Sequence, residues 1–226
     1  ADDAAYRRWF DQHRAKPGDL ACQHVALAAF AYRPLVSIVV PCYKTDRVYL
    51  RELLDSVVSQ SYGNWELLLM DASPEWDAVS NLAADANDER VHRVELPGNG
   101  GIVLNTNAGI QQATGDYIAF LDHDDILEPD ALFRYVAALN KAAEGDRPQV
   151  LFCDEDMFQK TGEWGQPVFK TQLNVDLLYS HNCVTHFLMV EKALIDRIGM
   201  SPEDVAGAQD YDLTLRCLAS GARFEH

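Results

Sequence analysis

The 226-residue chain has little of what several protein classes require. Its five cysteines, Cys22, Cys42, Cys153, Cys183 and Cys217, are odd in number, and no two have C-x-x-C spacing. Neither a zinc ribbon nor a disulfide scaffold is encoded, and reduced cytosolic thiols are the simplest reading. Basic residues are scarce: 19 Lys and Arg against 35 Asp and Glu give a net charge of -16. That balance is wrong for tracking a phosphate backbone, so no nucleic acid is expected as a partner. It still allows a local basic site for one diphosphate. Long apolar runs are missing too. The most apolar early stretch, Leu20 to Tyr43, is broken by Arg33 and Pro34, short of the roughly 18 uninterrupted apolar residues of a membrane span. The opening ADDAAYRRWF has no signal-peptide core. A cytoplasmic location is expected, with peripheral contact at the inner face of the plasma membrane left open. GNGG, at Gly98–Gly101, lacks the Lys-Ser/Thr of a P-loop and completes no G-x-G-x-x-G. There is no internal repeat or low-complexity tract.

What is present builds a core: 48% of residues are hydrophobic and 10% aromatic, both globular values. Residues 1–33 read as an N-terminal helical arm. Tyr6, Trp9, Phe10 and His13 recur at helical spacing, KPGD breaks the pattern, and LACQHVALAAFAY suggests a second helix. Residues 34–226 read as one domain. LVSIVVPCY is a buried strand. The next segment places Leu50, Leu53, Leu54, Val57 and Val58 on one helical face, with Thr45 or Asp46 as cap. NWELLLMDAS is a second strand ending at Asp71, and EWDAVSNLAADAN a helix. VHRVELP is a third strand, GNGGIVLNTNAGIQQAT a Gly/Asn loop entering a helix, and DYIAFLD a fourth strand. Further on, PDALFRYVAALNKAA is a helix and QVLFCDEDMF a strand. HNCVTHFLMVEKALIDRIG is a strand then a helix, and AQDYDLTLRCLASG a helix before a last strand. This alternation specifies an α/β fold, an open and mostly parallel sheet with helices on both faces. Ligands in such sheets sit at the carboxyl ends of strands, where Asp71 and Asp122 are expected to converge.

YIAFLDHDDILEPDAL places Asp122, Asp124 and Asp125 directly after an apolar run. One such Asp would be an ordinary helix cap. Three within four residues repel one another unless a cation, a proton or full solvation intervenes. A divalent metal meets that need, because Mg²⁺ or Mn²⁺ held by one or two carboxylates usually also takes substrate phosphates. CDED, at Cys153–Asp156, is a second acid cluster. His181 and His186 read as satisfied polar residues near a pocket, and strand alternation turns His123 away from its two flanking acids. Trp65, Trp76 and Trp164 offer sugar-stacking rings, but Trp65 sits in a strand and reads as core.

Taken together, VSIVVPCYKTDRVYLRELLDSVVSQSYGNWELLLMDASPE, GNGGIVLNTNAGIQQATGDYIAFLDHDDILEPDAL, FCDED, SHN and AQDYDLTLR resemble family 2 glycosyltransferases of the GT-A fold. The likeness is to the branch that builds bacterial O-antigen and other surface polysaccharides, and it runs from about Leu35 to His226. It implies an inverting, metal-dependent transfer from a nucleoside-diphosphate sugar donor to a hydroxyl of a glycan or lipid-linked glycan acceptor, with Mg²⁺ or Mn²⁺ as cofactor. By resemblance Pro41, Cys42 and Tyr43 line the nucleotide pocket. Asp71 matches the acid that bonds the base, with Met70 where the family usually has another acid. Asn107 matches a donor-side Asn, and Thr106 precedes it where Arg is usual. Asp122 and Asp124 match the D-x-D pair, near the ribose and on the metal. Asp210 matches the catalytic base, with Gln209 in place of Glu, and its place near a helix N-terminus is expected to hold it ionised. His226 matches a His sometimes found on the metal or diphosphate, although a ligand at a chain end is poorly held unless more chain follows. Asp154, Glu155 and Asp156 fall on the acceptor side. Two rival readings are a sugar-phosphate nucleotidyltransferase and a glycan-binding or scaffolding domain. The first would want glycines in PCYKTDR, which has none. The second is favoured by the Met70, Thr106 and Gln209 departures.

Overall fold

The structure is a computed structural model and describes residues 3–158 and 164–226. Two helices come first, α1 (Asp3–His13) and α2 (Pro17–Leu27). Then follow β1 (Val36–Cys42), α3 (Arg47–Val58), β2 (Trp65–Asp71), α4 (Ala78–Ala86), β3 (Val91–Glu95), α5 (Ile102–Gln112) and β4 (Tyr117–Phe120). The second half holds α6 (Ala131–Lys141), β5 (Val150–Leu151), β6 (Glu155–Phe158), β7 (Trp164–Val168) and α7 (Val175–Ser180). It closes with β8 (Met189–Glu191), α8 (Lys192–Ile198), α9 (Gln209–Ala219) and β9 (Phe224–Glu225).

Seven strands form one sheet in the order β3-β2-β1-β4-β8-β5-β9. β1 is parallel to both β2 and β4, and β2 to β3. β8 is antiparallel to β4 and to β5, while β5 and β9 are parallel. The expected sheet is therefore present, with β8 running against its neighbours. Successive residues of a strand face opposite sides, and β1 shows the consequence. Val36, Ile38 and Val40 join the layer of α3, α4 and α6, whereas Val39 joins the layer of α5, α7, α8 and α9. Apolar helices cover both faces, which is why the strand text reads as continuous rather than alternating.

α3 illustrates the local logic. Asp46, not Thr45, caps it by accepting from the Val48 amide at 2.7 Å. Leu50, Leu53, Leu54 and Val57 are buried, but Val58 falls off that face and is 36% exposed. QVLFCDEDMF, expected as one strand, breaks in two. β5 belongs to the main sheet, whereas β6 pairs with β7 in a separate hairpin. HNCVTH, expected as strand, precedes the short β8 and is irregular. α1 packs on the hairpin: the Tyr6 hydroxyl donates to Asp156, and Trp9 meets Phe169 edge-on at 5.3 Å. Farther along, Arg14 pairs with Glu128 at 2.9 Å, and Gln23 bridges Asp130 and Ser61.

α5 lies unusually close to the sheet because Gly109 faces it. A Cβ there would stand 2.4 Å from Val39 Cγ1 and 3.2 Å from Met70 Cγ. Gly109→Ala should therefore push α5 off β1 and β2 and destabilise the chain by about 1–3 kcal/mol. Urea denaturation should show a lower midpoint with an unchanged slope.

Candidate functional site

Parallel register brings the predicted residues to one edge. Cys42 pairs with Asp71, and Val39 with Phe120. Pro41–Tyr43, Asp71 and the turn at Asp122 thus emerge at the carboxyl ends of three adjacent strands. The Asp71 carboxylate is wholly buried; Arg93 Nε donates to it at 2.8 Å and the Ser73 amide at 3.1 Å. Arg93 also reaches Glu95 at 3.0 Å. Tyr43 is exposed with Lys44 over its ring, and Trp76, also exposed, donates to the Thr45 carbonyl at 3.1 Å. Trp65 is core, covered by the Arg90 guanidinium at 3.7 Å. The side chain of Trp164 lies outside the described residues.

The three clustered acids form a turn. The Asp125 amide donates to the Asp122 carbonyl at 3.1 Å, and the next helix starts only at Ala131, so neither Asp124 nor Asp125 is its cap. Asp122 and Asp125 are half-buried and Asp124 is exposed. Among the described residues, none of these three carboxylates has a side-chain hydrogen bond or ion pair. Burial, helped by the charges of Asp122, Asp124 and Glu155 and opposed by His186, pushes Asp125 up to about 6. His123 lies between the acids with a buried, unpartnered Nδ1.

Asp210 faces the turn from α9. It lines a narrow cleft with Thr106, Asn107, Phe120, Ser201 and Gln209, and Asn107 is steadied by donating to the Ser201 carbonyl at 2.8 Å. The helix N-terminus is not the only influence on it. Burial raises the Asp210 pKa, the charge of Asp122 adds to this, and His186 opposes both. Desolvation of a carboxylate outweighs a partial helix charge in such a cleft.

The CDED acids are all engaged. Asp154 accepts from the Lys170 amide at 2.7 Å, and His226 Nε2 lies 2.7 Å from the same oxygen. Glu155 Oε2 takes the His186 amide at 2.6 Å, His186 Nδ1 at 2.9 Å and Lys170 Nζ at 3.2 Å. Asp156 takes the Tyr6 hydroxyl. Burial alone would raise Glu155, but the His186 and Lys170 interactions outweigh it and bring the carboxyl down to about 2. The same bond, against burial and with help from Asp125 and Asp122, lifts His186 to about 9. His226 is thus drawn to Asp154, with Phe152 5.3 Å away. Among the described residues no group of three or more His, Cys, Asp or Glu side chains gathers as a metal cluster, so Asp122, Asp124 and His226 do not form one. His181 is exposed. Cys42 and Cys217 are buried thiols pushed up to about 12 by desolvation, and all five cysteines are free. His186, read from the sequence as a satisfied polar residue, is satisfied by Glu155, a partner 31 residues away that no local spacing reveals.

Residues 37–199 match the model of glycosyl transferase family 2, and the chain belongs to that family. Its fold is GT-A-like. It is 38% identical over 219 residues to the uncharacterized protein y4gI of Sinorhizobium fredii, covering 96% of this chain and 23% of that protein. It is 32% identical over 213 residues to the O-antigen biosynthesis protein RfbC of Myxococcus xanthus, covering 93% and 16%. The chain therefore spans less than a quarter of either relative. Among solved structures, S. aureus TarS 1-349 in complex with UDP-GlcNAc superposes with a TM-score of 0.68 at 22% identity, covering 84% of this chain and 54% of that one. The mannosyltransferase PcManGT from Pyrobaculum calidifontis, in complex with GDP-Man and Mn2+, gives 0.64 at 21% identity, covering 91% and 65%. Among the described residues no helix is long and apolar enough to cross a membrane.

The Glu155–His186 pair has a pH window. His186, raised from 6.5 to about 9, contributes stability in full below 6.5 and loses it as pH rises through about 9. Glu155, lowered from 4.5 to about 2, contributes in full above 4.5 and loses it as pH falls through about 2. Solvent screens the half-exposed ring, so about 1 kcal/mol is expected. Glu155→Gln should lower Tm by about 2–4 °C at pH 6, and scanning calorimetry should find the gap narrowing above pH 9.

Proposed function

We propose that the chain is the catalytic part of a metal-dependent, inverting glycosyltransferase. It would move a sugar from a nucleoside-diphosphate donor to a hydroxyl of a glycan or lipid-linked glycan in bacterial surface-polysaccharide synthesis. Family membership supports the reaction class, and likeness to the O-antigen biosynthesis protein RfbC supports the pathway class. The nucleotide sugars named for TarS and PcManGT support the donor class. The observation that carries the reading is the cleft. Asn107 and Asp210 line it, and Asp122, whose carboxylate like those of Asp124 and Asp125 has no partner among the described residues, is near enough to act on the charge of Asp210.

In this reading the domain proper is residues 34–226, with residues 1–33 as its arm. Pro41, Tyr43 and Asp71 border the nucleoside, Asn107 flanks the donor, and Asp122 lies toward the ribose. Asp154, Glu155 and Asp156 build the wall on the acceptor side. Three carboxylates without cationic partners among the described residues, one of them pushed up to about 6 by burial and crowding, are a donor set that suits a hard cation. Bound by Asp122 and Asp124, Mg²⁺ or Mn²⁺ would supply positive charge against the leaving diphosphate. Asp210 takes the proton of the acceptor hydroxyl as its oxygen bonds the anomeric carbon. The bond from that carbon to the diphosphate oxygen breaks on the opposite face, and the diphosphate leaves with the electron pair. One displacement inverts the centre.

Titration calorimetry with UDP, GDP and dTDP, with and without Mn²⁺, should find metal-dependent binding of at least one nucleotide. Asp124→Ala should weaken that binding at least about tenfold, and Asp210→Asn should lower kcat about 10²- to 10⁴-fold with nucleotide binding retained. Wild-type rates in both variants would refute the enzyme assignment. Absence of any nucleotide binding would favour the scaffolding reading instead.

A further inference from the structure

Asp71, the acid matched to the base contact, is out of a ligand's reach. Its side chain is 0% exposed. Both of its oxygens are engaged from within the chain, Oδ1 by the Ser73 amide at 3.1 Å and Oδ2 by Arg93 Nε at 2.8 Å. Met70, where a second acid is usual, is buried as well, so β2 offers the base no accessible carboxylate. The accessible member of the ion pair is Arg93, whose side chain is 26% exposed. Two carboxylates hold its guanidinium: Nε is on Asp71, and Nη2 is 3.0 Å from Glu95 Oε2. A planar fork held at two nitrogens is fixed in orientation. Its third nitrogen, Nη1, has no partner among the described residues. Register sets Asp71 beside Cys42 on one side and Glu95 on the other. The Lys44 amide donates to Ser73 Oγ at 2.9 Å, so the ends of β1, β2 and β3 form one bonded strip. The acid turn follows β4, three strands from β3 in the sheet order, or about 14 Å at the usual strand spacing. With Asp122 toward the ribose, Arg93 stands at the far end of the nucleoside, where the base edge most distant from the sugar arrives.

We propose that Arg93 reads the base of the donor: its guanidinium donates to the exocyclic group farthest from the ribose and selects bases that carry a carbonyl oxygen there. This deepens, and rests on, the reading of this sheet edge as a nucleotide-sugar site. Uracil, thymine and guanine present a carbonyl at that position, whereas cytosine and adenine present an amino group. A guanidinium has donors only. Facing a carbonyl it makes a charge-assisted bond, and facing an amino group it sets donor against donor. Asp71 and Glu95 are then positioning residues, which aim the fork without touching the base.

Titration calorimetry with Mn²⁺ compares UDP with CDP and GDP with ADP, two pairs that exchange the distal carbonyl for an amino group. In wild type the carbonyl member of the tighter pair should bind at least about tenfold better than its amino counterpart. Removing Arg93 alone would strand a buried carboxylate, so the main variant is the double Asp71→Asn/Arg93→Met. It should bring the preference below about threefold. Asp71→Asn alone keeps an oxygen for Nε to bond; it should weaken binding of all four nucleotides yet retain most of the preference. Thermal melts establish that each variant is folded. If the double variant does not fold, Arg93→Lys replaces it: one ammonium shared between Asp71 and the base should cut the preference at least about threefold. A wild-type preference that survives loss of the guanidinium overturns the proposal, as does a wild-type preference for the amino member. If Asp71→Asn alone abolishes the preference as fully as the double variant, the acid reads the base and the proposal falls. Metal-dependent binding that ignores the base in wild type ends the assignment of Arg93 and leaves the donor site standing. No binding of any nucleotide removes both.

Discussion

The register of β1 against its two parallel neighbours is the constraint on which the site depends. A strand buried on both faces is apolar throughout, so hydrophobicity alone does little to forbid a slip by one residue. Polar bonds at the opposite end of the sheet supply the missing specificity. The Ser37 hydroxyl donates to Glu66 at 2.5 Å and accepts from the Gly115 amide at 2.8 Å. Glu66 also accepts from the Thr114 amide at 2.7 Å, and Asp116 from the Leu35 amide at 2.8 Å. Gly115 is required there because a Cβ would stand 2.6 Å from the Leu35 carbonyl. These bonds tie β1 to β2 and to the entry of β4. With the amino ends pinned, the carboxyl ends carrying Cys42, Asp71 and Asp122 are aligned by strand geometry.

Two populations of acids follow from the fold. Asp71, Asp130, Asp154, Glu155 and Asp156 each hold donors from elsewhere in the chain. Asp122, Asp124, Asp125 and Asp210 hold none among the described residues. The distinction separates structure from chemistry better than the count of carboxylates does. Burial without partners is unfavourable to the charged forms of Asp125 and Asp210, whose pKa values are raised.

Much of this was legible from the text. Doubly buried strands give unbroken apolar runs, and α3 gives a clear helical stripe, so β1 to β4 and their acids were placed correctly. The strands of the second half span two or three residues in the main sheet, too few for periodicity to register. The direction of β8 is set by its connections and packing, which a local pattern does not carry. The partners of CDED lie 150 residues away in Tyr6 and 72 away in His226, beyond any local spacing rule. The upward shift of Asp210 was out of reach for a related reason. A helix N-terminus is visible in sequence, whereas the desolvation that outweighs it is assembled by Val103, Phe120 and Ile195 from other elements.

A turn of like charges cannot order itself by its own side chains, so its rigidity has to come from neutral groups around it. The segment after Asp125 has no regular structure, yet its backbone is satisfied almost residue by residue. The Leu127 amide donates to Ser56 Oγ at 3.1 Å, the Glu128 carbonyl accepts from Gln60 Nε2 at 2.8 Å, and the Pro129 carbonyl accepts from the Ser61 amide at 2.8 Å. Gln60 then takes the Leu132 amide at 3.0 Å, fixing the first turn of α6. Every one of these anchors lies at or just past the carboxyl end of α3, and Gln23 of α2 reaches into the same place through Ser61 and Asp130. These backbone anchors are uncharged, while the loop's own acids Glu128 and Asp130 take Arg14 and Arg134 at 2.9 and 2.8 Å. The two arginines pair with acids of the loop, and Asp122, Asp124 and Asp125 are left without an ion pair among the described residues.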